Sequence, residues 1–197
     1  MFNVSSSQFN YLYGDQIHFP YSIGRLVTYA KTNLEINSTF NFLPTYIFRD
    51  ELENYVLKCK NSDILLSSCY VWNWEITLEL AKKVKQVNPN CLIIFGGPQV
   101  PNRSNDFFEK YPFVDILVHG EGEIVLENIL LEFKNGKDFS NINGIETKDF
   151  LNKPQPRIKD VNTLPSPYLS NVIWDLVEEK PGIKYIAAWE TNRGCPY

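Results

Sequence analysis

Three short runs of small and polar residues stand where apolar runs end, and they are the parts of this chain best suited to hold a ligand. They read Ser67-Ser68-Cys69-Tyr70, Gly96-Gly97-Pro98 and Gly120-Glu121-Gly122-Glu123. Glycines carry no Cβ, so a ligand can approach the backbone amides, and the hydroxyls of Ser67 and Ser68 add short hydrogen bonds. A fourth feature is Cys195, set between Gly194 and Pro196 after the apolar run Tyr185-Ile186-Ala187-Ala188-Trp189. A thiolate there is a metal ligand in the making, but one thiolate does not make a metal site. Cys59, Cys69 and Cys91 are far apart in sequence and form no C-x-x-C.

Each run has to be positioned by the element before it. Residues 63–69, 91–95 and 115–119 are nearly continuous in apolar residues, as parallel strands buried on both faces require. Residues 9–13, 40–48 and 142–147 are weaker strand candidates, the second interrupted by Pro44. Leu52, Tyr55, Val56 and Cys59 form one helical stripe, and Ile76, Leu80, Val84 and Val87 a second that Pro89 stops. Leu126, Ile129, Leu130 and Phe133 form a third, closed by Asn135-Gly136. Asn73 is expected to cap the second helix, and Ser104 to begin a short helix that ends at Pro112. Such alternation predicts an α/β, flavodoxin-like (Rossmann-like) doubly wound parallel sheet of about five strands with helices on both faces. In that architecture ligands bind beyond the C-terminal ends of the strands, where the three small-residue runs fall.

With 44% apolar and 21% charged residues among 197, the chain has the composition of a globular protein. A net charge of −4 gives no basic footprint for nucleic acid or an anionic membrane. The N-terminal residues lack the pattern of a signal peptide, no apolar stretch has spanning length, and the dispersed cysteines suit a reducing compartment. The expected location is the cytoplasm. Lys153-Pro154-Gln155-Pro156 and Leu164-Pro165-Ser166-Pro167 read as an extended connector. The expected division is a Rossmann-like domain over 1–148, a Pro-rich linker over 149–182, and over 183–197 the first strand of a further unit.

Gly120-Glu121-Gly122-Glu123-Ile124-Val125 partly mimics the dinucleotide fingerprint G-x-G-x-x-G. It has Val125 at the third glycine, follows a late strand, and sets two carboxylates where a pyrophosphate would bind. A phosphate-bearing nucleotide is therefore disfavoured.

The order of the motifs is more specific than any one of them. Ser67-Ser68-Cys69, Phe95-Gly96-Gly97-Pro98, Gly120-Glu121-Gly122-Glu123, Leu164-Pro165-Ser166-Pro167 and Thr191-Asn192-Arg193-Gly194-Cys195-Pro196-Tyr197 follow one another along nearly the whole chain. In that order they resemble the N-terminal half of the cobalamin-binding-domain radical S-adenosylmethionine enzymes. The resemblance implies a flavodoxin-like domain for cobalamin, followed by a partial barrel for a 4Fe–4S cluster and S-adenosylmethionine. It implies that Ser67, Ser68, Tyr70, Gly96, Gly97, Pro98, Gly120, Glu121 and Gly122 line a groove for the dimethylbenzimidazole tail and one corrin face. Cys195 would be the first thiolate of a C-x-x-x-C-x-x-C loop, a cluster ligand only in a longer protein, because three thiolates are needed. The barrel would be the domain's partner, and no residue of this chain would perform the radical step.

For Glu123 the preferred role is to complement the dipole of the helix it starts. Tyr70 and Trp72 either cover the corrin, meet the barrel, or form a hydrophobic staple at the start of the helix. His18, in Gly14-Asp15-Gln16-Ile17-His18-Phe19-Pro20, lacks the spacing of the D-x-H-x-x-G cobalt-ligand motif, so a protein imidazole on cobalt is not expected. His119 is expected to be structural. The alternative reading is a ligand-free Rossmann-like protein-interaction domain.

Overall fold

The computed structural model describes residues 1–104 and 106–190. Cys195 and the run from Thr191 onward, read above as the start of a cluster loop, lie outside the described residues.

The chain opens with β1 (Phe2–Ser7), β2 (Gln16–His18), α1 (Tyr21–Ala30), α2 (Leu34–Thr39) and β3 (Phe40–Tyr46). Then come α3 (Leu52–Lys58), β4 (Ile64–Ser68), α4 (Trp74–Val87), β5 (Leu92–Gly96), α5 (Phe107–Lys110) and β6 (Ile116–Val118). It closes with α6 (Glu123–Asn135), β7 (Ile145–Glu146), α7 (Val172–Asp175) and β8 (Lys184–Ile186). Six strands form the main sheet in the order β3-β1-β4-β5-β6-β7. The first five are parallel and β7 runs antiparallel to β6. With β2 set aside, the parallel strands follow the flavodoxin order, whose switch point falls between β1 and β4. The expected fold class is thus present, with six strands in place of about five.

Two apolar layers sandwich this sheet. Leu65, Ile93, Phe95 and Leu117 face α3, α4 and α5. Leu66, Ile94, Ile116 and Val118 face α1 and α6, whose Ile23, Val27, Leu126 and Ile129 complete the second layer. Pro44 sits in β3, an edge strand, where a missing N–H leaves no ladder bond unmade.

Three expectations are corrected. The first strand is Phe2–Ser7, whereas residues 9–13 form no strand. Its serines are buried because they bond across the sheet: Ser5 Oγ to Ser62 Oγ (2.7 Å), Ser6 Oγ to Thr45 Oγ1 (2.9 Å) and Ser7 Oγ to Ser67 Oγ (2.9 Å). Hydroxyls that satisfy one another can occupy a core strand, so apolarity alone does not mark it. Ser104 does not cap α5; it donates through N–H (3.3 Å) and Oγ to the Glu146 carboxylate, and Asp106 precedes the helix.

The connector, finally, is not extended throughout. Val172, Ile173, Leu176 and Val177 offer one apolar face, and all four are buried. Ile173 packs onto α1 at Gly24, where an added Cβ would lie 2.4 Å from Ile173 Cδ1. Beyond α7, β8 pairs in parallel with β2 as a separate two-stranded sheet. The Lys184 ammonium, 2.6 Å from Asp15 Oδ2, reinforces that pairing and holds the Asp15 carboxyl below the usual carboxylate range.

Candidate cofactor-binding site

A cavity of about 630 Å³ opens at the C-terminal ends of β4, β5 and β6, on the sheet face covered by α1 and α6. Its floor is apolar: Leu66, Ile94 and Val118 from the strands, Ile23, Leu26 and Leu126 from the helices. Around the rim stand Ser67, Ser68 and Tyr70 after β4, Gly96 and Gly97 after β5, and Gly120, Glu121 and Gly122 after β6. Eight of the nine positions singled out in the sequence are therefore gathered on one cavity wall. Pro98 is the exception and lies outside the lining. It follows the tight turn at Gly97 and is carried away from the opening.

The glycines serve different ends. Gly97 has φ +104°, and a Cβ there would lie 2.6 Å from the Cys69 carbonyl oxygen. Only glycine lets the β5 loop pass so close to the β4 loop. Gly96 has ordinary φ, and its added Cβ would meet only Val118 Cβ at 3.6 Å, so its lack of a side chain keeps cavity space open. Gly120, at φ +75°, faces open space.

Asn73 shapes the Ser67–Tyr70 edge. It is fully buried and makes no cap bond to α4, contrary to expectation. Its Oδ1 accepts from the Tyr70 N–H (2.8 Å), and its Nδ2 donates to the carbonyls of Ser68 (3.0 Å) and Phe9 (3.3 Å). Asn73→Ala would leave two buried carbonyls without a donor, so urea denaturation is expected to show a loss of about 2–3 kcal/mol. A change under about 0.5 kcal/mol would contradict this role. Tyr70 Oη lies 2.6 Å from Ser22 Oγ, and its ring stacks on Trp72 with centroids 4.3 Å apart and planes 11° off parallel. Trp72 remains 42% exposed.

Charge in the cavity centres on Arg25, which the sequence analysis did not find. Its guanidinium donates to Glu123 Oε1 (3.3 Å), Glu190 Oε2 (2.8 Å) and Tyr21 Oη (3.3 Å). Glu123 is buried in the first turn of α6, so besides complementing the dipole it anchors Arg25 between the two helices. Nothing in the sequence pairs positions 25 and 123; only the adjacency of α1 and α6 does.

Both histidines lie away from the cavity lining. His18 is exposed on β2, and its carbonyl accepts from Asn10 Nδ2 (3.0 Å). His119 Nε2 lies 3.0 Å from Glu146 Oε2, a structural pairing. Among the described residues no group of three His, Cys, Asp or Glu is placed to hold a metal ion. No helix among them is long and apolar enough to cross a membrane.

Cys59, Cys69 and Cys91 are free and buried. Burial raises all three thiols, Cys91 to about 12. Raised thiol pKa values leave almost no thiolate at pH 8, so none of the three is a nucleophile. At that pH a thiol-specific reagent is expected to label them only after denaturant is added; rapid labelling of the folded chain at Cys69 would contradict the packing.

The cavity's fitness for a flat, tailed cofactor can be judged from its walls. A planar heteroaromatic group needs a slot without Cβ obstruction and an apolar floor, and Gly96, Gly120 and the Leu66–Ile94–Val118 floor supply both. A polar rim needs donors, and the Ser68 hydroxyl has no hydrogen-bond partner among the described residues.

Residues 35–130 match the B12 binding domain model. Over 185 residues the chain is 35% identical to a 2-(S-pantetheinyl)-carbapenam-3-carboxylate methyltransferase of Streptantibioticus cattleyicolor, covering 90% of this chain and 27% of that protein. It is equally similar, with the same coverage, to the cobalamin-dependent radical SAM methyltransferase TokK of Streptomyces tokunonensis. In three dimensions it matches the radical S-adenosylmethionine methyltransferase TsrM of Kitasatospora setae with a TM-score of 0.55 and 16% identity, over 77% of this chain and 30% of that one. The chain thus spans about a quarter of the length of the curated relatives it matches. Residues 35–130 thus carry the likeness to the B12 binding domain, and the chain is homologous to the cobalamin-binding module of radical S-adenosylmethionine methyltransferases.

Proposed function

We propose that the chain binds cobalamin with the dimethylbenzimidazole nucleotide tail in the slot between α1 and α6 and one corrin face over the rim. The observation that supports this reading is the cavity beyond β4, β5 and β6, with an apolar floor, a glycine rim and no side chain of the described residues plugging it. Leu66, Ile94 and Val118 would support the flat base; Ser67, Ser68 and the backbone at Gly96, Gly97, Gly120 and Gly122 would meet the polar edge. Glu121 would hold the rim, since its Oε2 accepts the Ile158 N–H (2.8 Å). Stacked Tyr70 and Trp72, beside the opening, would meet the corrin.

The longer protein, on this reading, is a radical S-adenosylmethionine methyltransferase in which Cys195 and two further cysteines hold a 4Fe–4S cluster. The domain over 1–148 carries the cofactor, and the segments over 149–182 and 183–197 lead into the barrel. When bound, cobalamin supplies a cobalt centre able to carry a methyl group. The residues of this chain hold and orient it. Three free, reduced cysteines suit the cytosol as the setting.

Titration with hydroxocobalamin tests the proposal. A saturable change in the visible spectrum at one equivalent is expected, with the cofactor retained through gel filtration. Unchanged spectra and free elution of the cofactor would instead favour a ligand-free interaction domain.

A further inference from the structure

Cobalamin's nucleotide tail is tied to the corrin through a phosphodiester, which carries one negative charge. On the proposed reading of the cavity, that anion must lie near a wall bearing three carboxylates, Glu121, Glu123 and Glu190. Among the described residues two cations line the same cavity, Arg25 and Arg157. Arg25 is already committed, its guanidinium held between Glu123 and Glu190. Arg157 is exposed and forms no ion pair among the described residues.

The segment that carries Arg157 is tied across the cavity's edge. Asn152 N–H donates to the Ile145 carbonyl (3.0 Å), and Gly144 N–H donates to the Lys153 carbonyl (2.7 Å). Gln155 passes so close to Gly144 that a Cβ there would lie 2.9 Å from Gln155 Cβ, and Gly144 has φ +79°. On the far side of Arg157, the Ile158 N–H is held by Glu121 Oε2 at 2.8 Å. Bonds on both flanks therefore fix the backbone of residues 152–158 against β7 and the β6 loop, and Gln155 and Arg157 project to the cavity. A carboxylate of the rim thus accepts a hydrogen bond from the strap that delivers the cation.

We propose that Arg157, delivered by this strap, binds the phosphodiester of the nucleotide tail and makes the site select cobalamins that carry a tail. The proposal rests on cobalamin being the ligand of this cavity. A guanidinium matches a phosphate by paired donors in one plane, which a lysine cannot reproduce.

The test compares cobalamin with cobinamide, the corrinoid that lacks the nucleotide and its phosphodiester, by spectral titration of the 197-residue chain. Wild-type protein is expected to bind cobalamin more tightly than cobinamide. Arg157→Ala should weaken cobalamin about five- to tenfold and leave cobinamide unchanged, with Arg157→Lys intermediate. Raising the salt concentration should weaken wild-type binding of cobalamin and leave Arg157→Ala nearly insensitive. Cobalamin affinity unchanged in Arg157→Ala, or equal loss for both corrinoids, overturns the role of Arg157 while the cavity's ligand stands. Absence of cobalamin binding by the wild type overturns the functional reading itself, and this inference with it.

Discussion

Gly96→Leu is expected to weaken cobalamin binding by at least about a hundredfold while the fold survives. The reason lies in what surrounds that glycine. An added Cβ there meets nothing closer than Val118 Cβ at 3.6 Å, and the backbone is in an ordinary conformation. The strand therefore tolerates a side chain, but its body must extend into the slot between α1 and α6, since Gly96 lines it. Thermal denaturation reads both halves of the prediction. Without ligand the variant should melt close to the wild type. With cobalamin at about a hundred times the wild-type Kd, the wild type should gain about 2.7 kcal/mol and the variant almost none. A variant that keeps its ligand-induced stabilisation would place the tail elsewhere.

The neighbouring residue should respond in the opposite sense. Gly97→Ala is expected to destabilise the folded chain by about 2–4 kcal/mol, roughly 5–15 °C in Tm for a chain of this size. The added methyl would lie 2.6 Å from the Cys69 carbonyl oxygen and 3.0 Å from its nitrogen, both backbone atoms held in place, the oxygen accepting the Gln99 N–H (3.1 Å) and the N–H donating to the Gly96 carbonyl (2.7 Å). Positive φ adds strain for any residue with a Cβ. Two adjacent glycines thus separate cleanly, one keeping space for a ligand and the other permitting a turn. Equal stability for Gly97→Ala and wild type would show that the loop is not tied to Cys69.

Much of this architecture was legible because its central strands are buried on both faces. The runs at 63–69, 91–95 and 115–119 became β4, β5 and β6, and the loops after them converged on one cavity. The hidden parts were hidden for physical reasons. In β1, Ser5, Ser6 and Ser7 are buried by bonding to hydroxyls on neighbouring strands, so their polarity masks the strand. In α1, Gly24 reads as a helix breaker, yet it is where Ile173 docks. Arg25 acts through partners 98 and 165 residues away, a pairing that no local pattern signals. Arg157 sits between prolines in a stretch that reads as linker, and only the bonds from Glu121 and Gly144 show that the stretch crosses the site.

The central claim is that the tail's base is drawn into the α1–α6 slot and so away from cobalt. Neither histidine lines the cavity, so no protein imidazole is expected on cobalt in its place. Electron paramagnetic resonance of cob(II)alamin bound to the chain under anaerobic conditions reports this directly, because a nitrogen base above or below the corrin plane, unlike the four corrin nitrogens, splits each cobalt line into three. The account predicts a spectrum without nitrogen splitting. A three-line splitting from a retained benzimidazole would contradict it.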